Sequence, residues 1–535
     1  MKLLVGAVRN EPWLQALLLM LGLVAVFLLT HSGTDSSEAV YHYSVAEQIV
    51  KHGELGFSSP QQGVYAVAPN GRTYASHEIG NSLLLLPVAW VNSRLERRLT
   101  PAIGAERVKM ITRFLIGSMG AILCAAGAVC LYLNLRLVFG QSIRTALGGV
   151  LLFAFCSFYW SYSRMIFDGV LSGVTLSGAM LCLFLFARRR ETWLLAAAFA
   201  CLGFGLITRV SMILAIAAAG IYLLLIVGPR PKQLAYTALV ATATLAPFVA
   251  WQLYYNHLRT GSFLEAAVQL PKYASTNALT GNLLDGLAGF LFSPGKSIFL
   301  YCPPALLSVF LLRRFWRTWR NETVFVVVLS LFWLLLHAKL RVWTGAWGWG
   351  PRYFLTVTPV MALPFLVERL AIRSWLARSL AAAVLLFGFS LSAASVIGNP
   401  LYREELAFQS GNQGTPWIWS IAGNQAVDAL AGAARNLHTL FFGGQYLFVP
   451  GASAATVLAS NTLNVWWLTA YRMGVGVFPI AITLALFAIC AGFSLWLLLH
   501  AGAGEATNPQ PRSEFGPQAS STGSRTVQPP SIQSV

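Results

Sequence analysis

"PWLQALLLMLGLVAVFLLTHSGTDSSEAVYHYSVAEQIVKHG", residues 12–53, sets an apolar run directly against a polar segment rich in ionisable side chains. The run from about 13 to 30 is long enough to cross a hydrocarbon core of roughly 30 Å as a helix. Lys2 and Arg9 precede it, as in a secretory signal, but no A-x-A cleavage site follows, so the reading is an uncleaved first span. Similar runs of about 18 to 22 residues recur along most of the chain. Of the 535 residues, 56% are hydrophobic and 10% charged, against roughly 25% charged in a soluble domain. In lipid each spanning segment must satisfy its own backbone polar groups, so successive runs of this length imply helices. The expected fold class is all-α, a polytopic transmembrane helical protein.

The net charge of +18 would suit a nucleic-acid partner, but the cations sit in short clusters between apolar runs, where membrane topology puts them. The seven cysteines lie in or beside apolar runs without CxxC spacing, which indicates neither a disulfide framework nor a zinc site. Spans are expected near 13–30, 108–134, 146–162, 168–187, 192–208, 211–227, 235–256, 297–312, 323–338, 353–368, 379–397 and 475–499, about twelve in all. Starting inside, the connections bearing Arg136 and Arg144, Arg188 to Arg190, Arg230 and Lys232, Arg313 to Arg320, and Arg369 to Arg378 all fall on the cytoplasmic side. Both termini are then cytoplasmic. The expected organisation is a transmembrane body over 1–397, an outer segment over 398–474, a last span over 475–499, and a disordered cytoplasmic tail over 500–535. Function is expected on the outer side, which receives the long pieces 31–107, 257–296, 339–352 and 398–474.

The first outer loop holds two amphipathic segments expected to rest in the membrane interface, one over about 36–52 and closed by Gly53, the other beginning near Asn81. "DSSE" at 35–38 reads as a capping box, with Asp35 as N-cap and Glu38 reaching back. A cap needs one acid, however, and Asp35, Glu38 and His42 share one helix face beside the bilayer, where ionisable groups are costly and usually functional. "NGRTYASHEIGNSLLLLP", from Asn70, adds Tyr74, His77 and Glu78 before the second segment; taken alone it is a solvated turn.

These patches, with "SRMIFDGVLSG" around Asp168 and "GAWGWGPRYFLTVTP" around Arg352, resemble the GT-C fold glycosyltransferases, the nearest branches being the bacterial lipid A aminoarabinose transferases and the protein O-mannosyltransferase-like group. The resemblance covers the layout of roughly 10–370, but only these four patches in sequence. It implies transfer of a sugar from an undecaprenyl-type phosphate carrier to a lipid, glycan or protein hydroxyl, with inversion, on the periplasmic or extracellular side of a bacterial inner membrane. It also implies Asp35 as the catalytic acid position and Asp168 as the second acid. The family usually carries a paired acidic motif in the first loop, whereas Asp35 is followed by two serines and then Glu38. Metal binding through adjacent acids is thereby put in doubt, while a divalent metal shared by Asp35 and Asp168 through oxygen ligands stays open.

Such chemistry needs a base for the acceptor hydroxyl and cations for the departing phosphate. Asp35 is the expected base, with Asp168 and Glu38 as the other catalytic acids. Arg352, Lys296, Arg209 and Arg164 are the expected phosphate ligands, because they break the positive-inside pattern; each alone also reads as a snorkelling interfacial residue. His42, Tyr74, His77, Glu78, Trp347 and Trp349 are the expected substrate or acceptor contacts, the tryptophans reading equally as an interfacial belt. The rival function is a transporter or lipid flippase, which would place its ionisable residues mid-span instead of at the outer ends of spans.

Overall fold

The computed structural model describes residues 2–32, 37–59, 65–265, 279–345, 348–398, 418–421, 424–444, 462–472 and 474–507. Asp35, Trp347 and most of the outer segment 398–474 lie outside the described residues, as does the tail beyond 507.

The chain opens with α1 (Lys2–Asn10) and α2 (Pro12–Leu29), where Pro12 sits in the first helical turn and needs no intrahelical N–H partner. α3 (Ser37–His52) follows, then a small hairpin of β1 (Tyr65–Val67) and β2 (Thr73–Ala75) paired antiparallel, Ala66 opposite Tyr74. The turn between them uses Gly71 at φ 77°, with Asn70 Oδ1 accepting the Arg72 N–H. Next come α4 (Gly80–Ile103), α5 (Ala105–Leu133), α6 (Ile143–Phe155), the short α7 (Tyr159–Tyr162), α8 (Asp168–Arg189), α9 (Thr192–Leu206), α10 (Ile213–Val227) and α11 (Pro231–Thr260). The second half adds Leu283–Phe292, Pro303–Thr318, Arg320–Ala338, Thr358–Glu368, Trp375–Ile397, Gln425–Phe442 and Val477–Thr507, among shorter turns.

The protein is a polytopic helical membrane protein. Eight of the twelve spans expected from the sequence fall on helices long and apolar enough to cross a membrane, while the other four, near 146–162, 192–208, 297–312 and 353–368, fall on shorter or interrupted helices. α6, α9 and Leu283–Phe292 are shorter apolar helices. The two amphipathic segments of the first loop are α3 and α4, as expected.

One end of the bundle gathers the start of the chain and the end of the last helix. Arg9 Nε donates to the Ala501 carbonyl (3.3 Å), while Glu505 accepts from Arg136 Nη1 (3.0 Å) and the Ile143 N–H (2.8 Å). That anchorage explains a difference from the sequence reading: the last helix runs on to Thr507 where a disordered tail was expected from 500. The start of the chain and the end of the last helix thus lie on the same side.

At the opposite end, small residues bring the functional segments together. A Cβ on Gly120 of α5 would lie 2.5 Å from the Met165 carbonyl oxygen, so the strand of chain leading into α8 rests directly on α5. Ala39 and Ala46 of α3 pack on Leu85 and Ala89 of α4, with Ile116 and Ile166 completing the cluster. The N-terminal ends of α3, α4 and α8 therefore converge.

Candidate active site

Asp168 occupies the first turn of α8, where the helix dipole favours a negative charge. Its Oδ1 lies 2.9 Å from His42 Nε2 and accepts from Asn81 Nδ2 at 2.7 Å, and its Oδ2 lies 3.5 Å from His77 Nδ1. The close α3–α4 packing sets His42 and Asn81 against each other: the atoms His42 Nε2 and Asn81 Nδ2 are 3.3 Å apart. Tyr41 stacks on the His77 ring from the other side, the centroids 6.3 Å apart.

His77 sits in the stretch between β2 and α4, which a buried ion pair holds. Arg259, fully buried near the end of α11, donates to the carbonyls of Ser76 (3.2 Å) and His77 (3.0 Å), to Glu78 Oε2 (3.0 Å) and to Asn256 Oδ1 (3.0 Å). Gln252 Nε2 donates to the same Glu78 oxygen at 2.7 Å. Burial acts to lower the His77 pKa, but the hydrogen bond to Asp168 and the charges of Asp168 and Glu38 outweigh it, and the net shift is upward.

Cations face this acidic centre. Arg352 Nη1 pairs with Glu38 Oε1 at 2.8 Å, and its guanidinium carbon is 5.8 Å from the Phe167 ring, next to Asp168. Arg209, just after α9, reaches Thr356 Oγ1 and His337 Nε2, each at 3.4 Å. The guanidinium carbons of Arg209 and Arg352 both lie close to the Tyr353 ring, at 5.3 and 5.6 Å from its centroid. A Cβ on Gly169 would lie 3.5 Å from Arg209 Nη1, so this guanidinium rests against the first turn of α8, beside Asp168. Two carboxylates, two histidines and two arginines thus form one electrostatic cluster at the ends of apolar helices.

The loop carrying Arg352 is fixed from below. Gly345 and Gly350 adopt φ of 76° and 58°, a region open chiefly to glycine. Lys296 Nζ and Gln425 Nε2 donate to the Gly348 carbonyl (2.7 and 3.1 Å), and the Gly350 N–H returns a bond to Gln425 Oε1 at 2.9 Å. Trp349 is buried edge-on against Tyr301, centroids 5.1 Å apart.

Of the residues expected from the sequence, Asp168, Glu38, His42, His77, Arg352 and Arg209 are brought together. Asp35 and Trp347 lie outside the described residues. The other expected ligands stand apart, for physical reasons. Lys296, 1% exposed, supports the loop of Arg352 through a carbonyl. Arg164, 3% exposed, donates to the Val396 carbonyl at 2.6 Å and to the Ser395 and Asn464 carbonyls. Trp349 packs in the interior, Glu78 is the partner of Arg259, and buried Tyr74 receives a bond from Asn70 at 3.1 Å. The sequence reading passed over Asn81, Tyr353, Thr356 and Arg259; only Asn81 carried a signal, as the last polar residue before "SLLLLP".

His42, His77 and Asp168 each offer a ligand atom, all within 4.8 Å of one another, and imidazole with carboxylate suits a zinc-type divalent cation. A cation there would act as a Lewis acid on an oxygen of the substrate. Asp35, expected as a co-ligand of Asp168, is not among the described residues.

The family model for dolichyl-phosphate-mannose-protein mannosyltransferase matches residues 110–253, from α5 into α11. The match includes Asp168 and Arg209 and leaves out Glu38, His42, His77 and Arg352. Comparison with curated proteins gives no match. Among solved structures, ArnT from Cupriavidus metallidurans bound to undecaprenyl phosphate aligns with a TM-score of 0.45 at 13% identity, over 92% of this chain and 77% of that one. The same protein in the apo state aligns with a TM-score of 0.41 at 13% identity, over 90% and 75%.

Proposed function

We propose that this protein is a membrane glycosyltransferase that moves a sugar from a polyprenyl-phosphate carrier, of the undecaprenyl type, to a hydroxyl of a lipid, glycan or protein. The observation that carries this reading is the meeting of Asp168, His42 and His77 with Arg352 and Arg209 at the ends of apolar helices. Transfer requires opposite charges side by side: a carboxylate where the acceptor loses its proton, and cations where phosphate gains charge.

In the proposed step, the acceptor hydroxyl gives its proton to a carboxylate as its oxygen attacks the anomeric carbon. The bond from that carbon to the phosphate oxygen breaks, and the electron pair leaves with the polyprenyl phosphate. Asp35, three positions before Glu38, is assigned as the base, consistent with inversion. Asp168, clasped by His42, His77 and Asn81, orients the acceptor. Arg352 offers a planar fork to the phosphate and Arg209 adds a second cation across the Tyr353 ring. The clusters of cations between spans support a reading in which this end of the bundle faces away from the cytoplasm, the periplasmic side if the membrane is a bacterial inner membrane.

The test is release of polyprenyl phosphate by the purified full-length protein from a radiolabelled polyprenyl-phosphate sugar, offered with a membrane extract as acceptor. Turnover by the wild type, lost in Asp35→Asn and Asp168→Asn, is the expected result. A wild type that moves solute or lipid across vesicles while releasing no polyprenyl phosphate would refute the proposal.

A further inference from the structure

The amphipathic α4 and the apolar α5 form an antiparallel hairpin whose base is the candidate active site and whose tip is strongly basic. At the base, Asn81 binds Asp168. Midway, Asn92 joins the three packed helices: its Nδ2 meets the Tyr43 hydroxyl of α3 at 2.6 Å, and its Oδ1 accepts from Thr112 of α5. Beyond that junction the chain turns at Gly104, φ 83°. The distal arm carries Arg94, Arg97, Arg98, Arg107 and Lys109, all exposed. No carboxylate among the described residues pairs with any of these five. Glu96 is engaged by Lys51 and Asn92, and Glu106 lies in the first turn of α5, where the helix dipole favours it.

Membrane topology does not account for this charge. Just past the other end of α5, Arg136 is tied to Glu505 and lies with the start of the chain and the end of the last helix. A preference of cations for one side of the bilayer explains one end of a spanning helix, and Arg136, Arg144 and Arg9 already occupy that end. Length points the same way. α5 has 29 residues, about 43 Å at 1.5 Å each, so roughly 13 Å exceeds a hydrocarbon core of about 30 Å. With Arg136 fixed at its side, the surplus falls at the N-terminal end, with Arg107 and Lys109. Just below, the exposed Trp90 ring is covered by the Arg94 guanidinium at 3.6 Å. An exposed tryptophan under an arginine is how a helix marks the headgroup level.

We propose that the tip of this hairpin docks on anionic lipid headgroups of the leaflet on the active-site side, with the five cations contacting lipid phosphates. Exposed arginines suit phosphate oxygens, and the apolar band beneath them, Trp90 and Val91, is itself exposed toward the same layer. The inference is independent of any glycosyl transfer.

The test uses the full-length protein in nanodiscs of phosphatidylcholine alone or with phosphatidylglycerol, treated with phenylglyoxal and mapped by mass spectrometry. Arg94, Arg97, Arg98 and Arg107 should be modified several-fold more slowly in the anionic discs, and the protection should fade at high salt. The exposed double variant Arg97→Gln/Arg98→Gln should fold normally and retain fewer phosphatidylglycerol molecules in native mass spectrometry. Equal labelling in the two lipid compositions would overturn the proposal. So would equal protection by inorganic phosphate in phosphatidylcholine discs, which would mark a site for free anions.

Discussion

The Arg259–Glu78 pair is the sharpest test of how the site is held, because neither residue touches the proposed substrates, yet together they fix the stretch that presents His77. Arg259→Met leaves the Glu78 carboxylate, 4% exposed, without its cation. It also removes donors from the Ser76 and His77 carbonyls. Breaking a buried pair from one side costs roughly 3–5 kcal/mol. Glu78→Gln removes the charge from the other side but leaves Arg259 its carbonyl partners, so its cost is lower, about 1–3 kcal/mol. In the double variant neither charge is stranded, and its cost should fall short of the sum by on the order of 1–3 kcal/mol. Denaturant unfolding in detergent micelles reads these values. Single-turnover kinetics should show a matching split: an His77 displaced by about 1 Å lowers the rate of transfer by roughly 10²-fold, while donor affinity, set by the separately anchored Arg352, stays near wild type. Additive costs within about 0.5 kcal/mol, or a loss confined to donor affinity, would refute the clamp.

Asp168→Asn should lower turnover by on the order of 10²–10⁴-fold with donor affinity retained, measured as product release against equilibrium donor binding. Arg352→Lys keeps the charge but loses the fork, so the KM for donor should rise about tenfold while the protein unfolds as the wild type does. Glu38→Gln removes the carboxylate that occupies Arg352, so polyprenyl phosphate should bind several-fold more tightly by calorimetry; unchanged or weaker binding would show that this arginine does not meet the phosphate. His77 has its pKa raised above 6.5 by Asp168. The stability it contributes is complete below that pH and is lost as pH rises through the raised value, so the melting temperature should decline there in the wild type and less in His77→Gln.

The fold was legible because a bilayer imposes one rule on every spanning segment, and that rule is written in run length alone. α3 and α4 were legible for a different reason: polar residues interrupt their apolar ones at helical spacing, and Gly53 marks a stop. The cations of the site were not separable by the same means. In sequence Arg164, Lys296, Arg209 and Arg352 are alike, each a positive charge beside an apolar run. What distinguishes them is tertiary: Arg164 and Lys296 meet backbone carbonyls contributed from far along the chain, whereas Arg352 meets Glu38 and Arg209 faces Thr356 and His337.

The same logic explains why Arg259 was passed over. As a basic residue in the last turn of α11 it reads as an ordinary complement to the helix dipole. Its side chain turns inward only because Glu78 and the carbonyls of Ser76 and His77 are presented to it by a segment about 180 residues earlier. A buried cation needs its partners built around it, so a residue of this kind cannot be identified until the packing of α11 on the first loop is known. By contrast, Asp168 and His42 were legible in the sequence: Asp168 stands at the start of an apolar run, and His42 shares a helix face with Glu38 beside the bilayer, where ionisable groups have few inexpensive explanations.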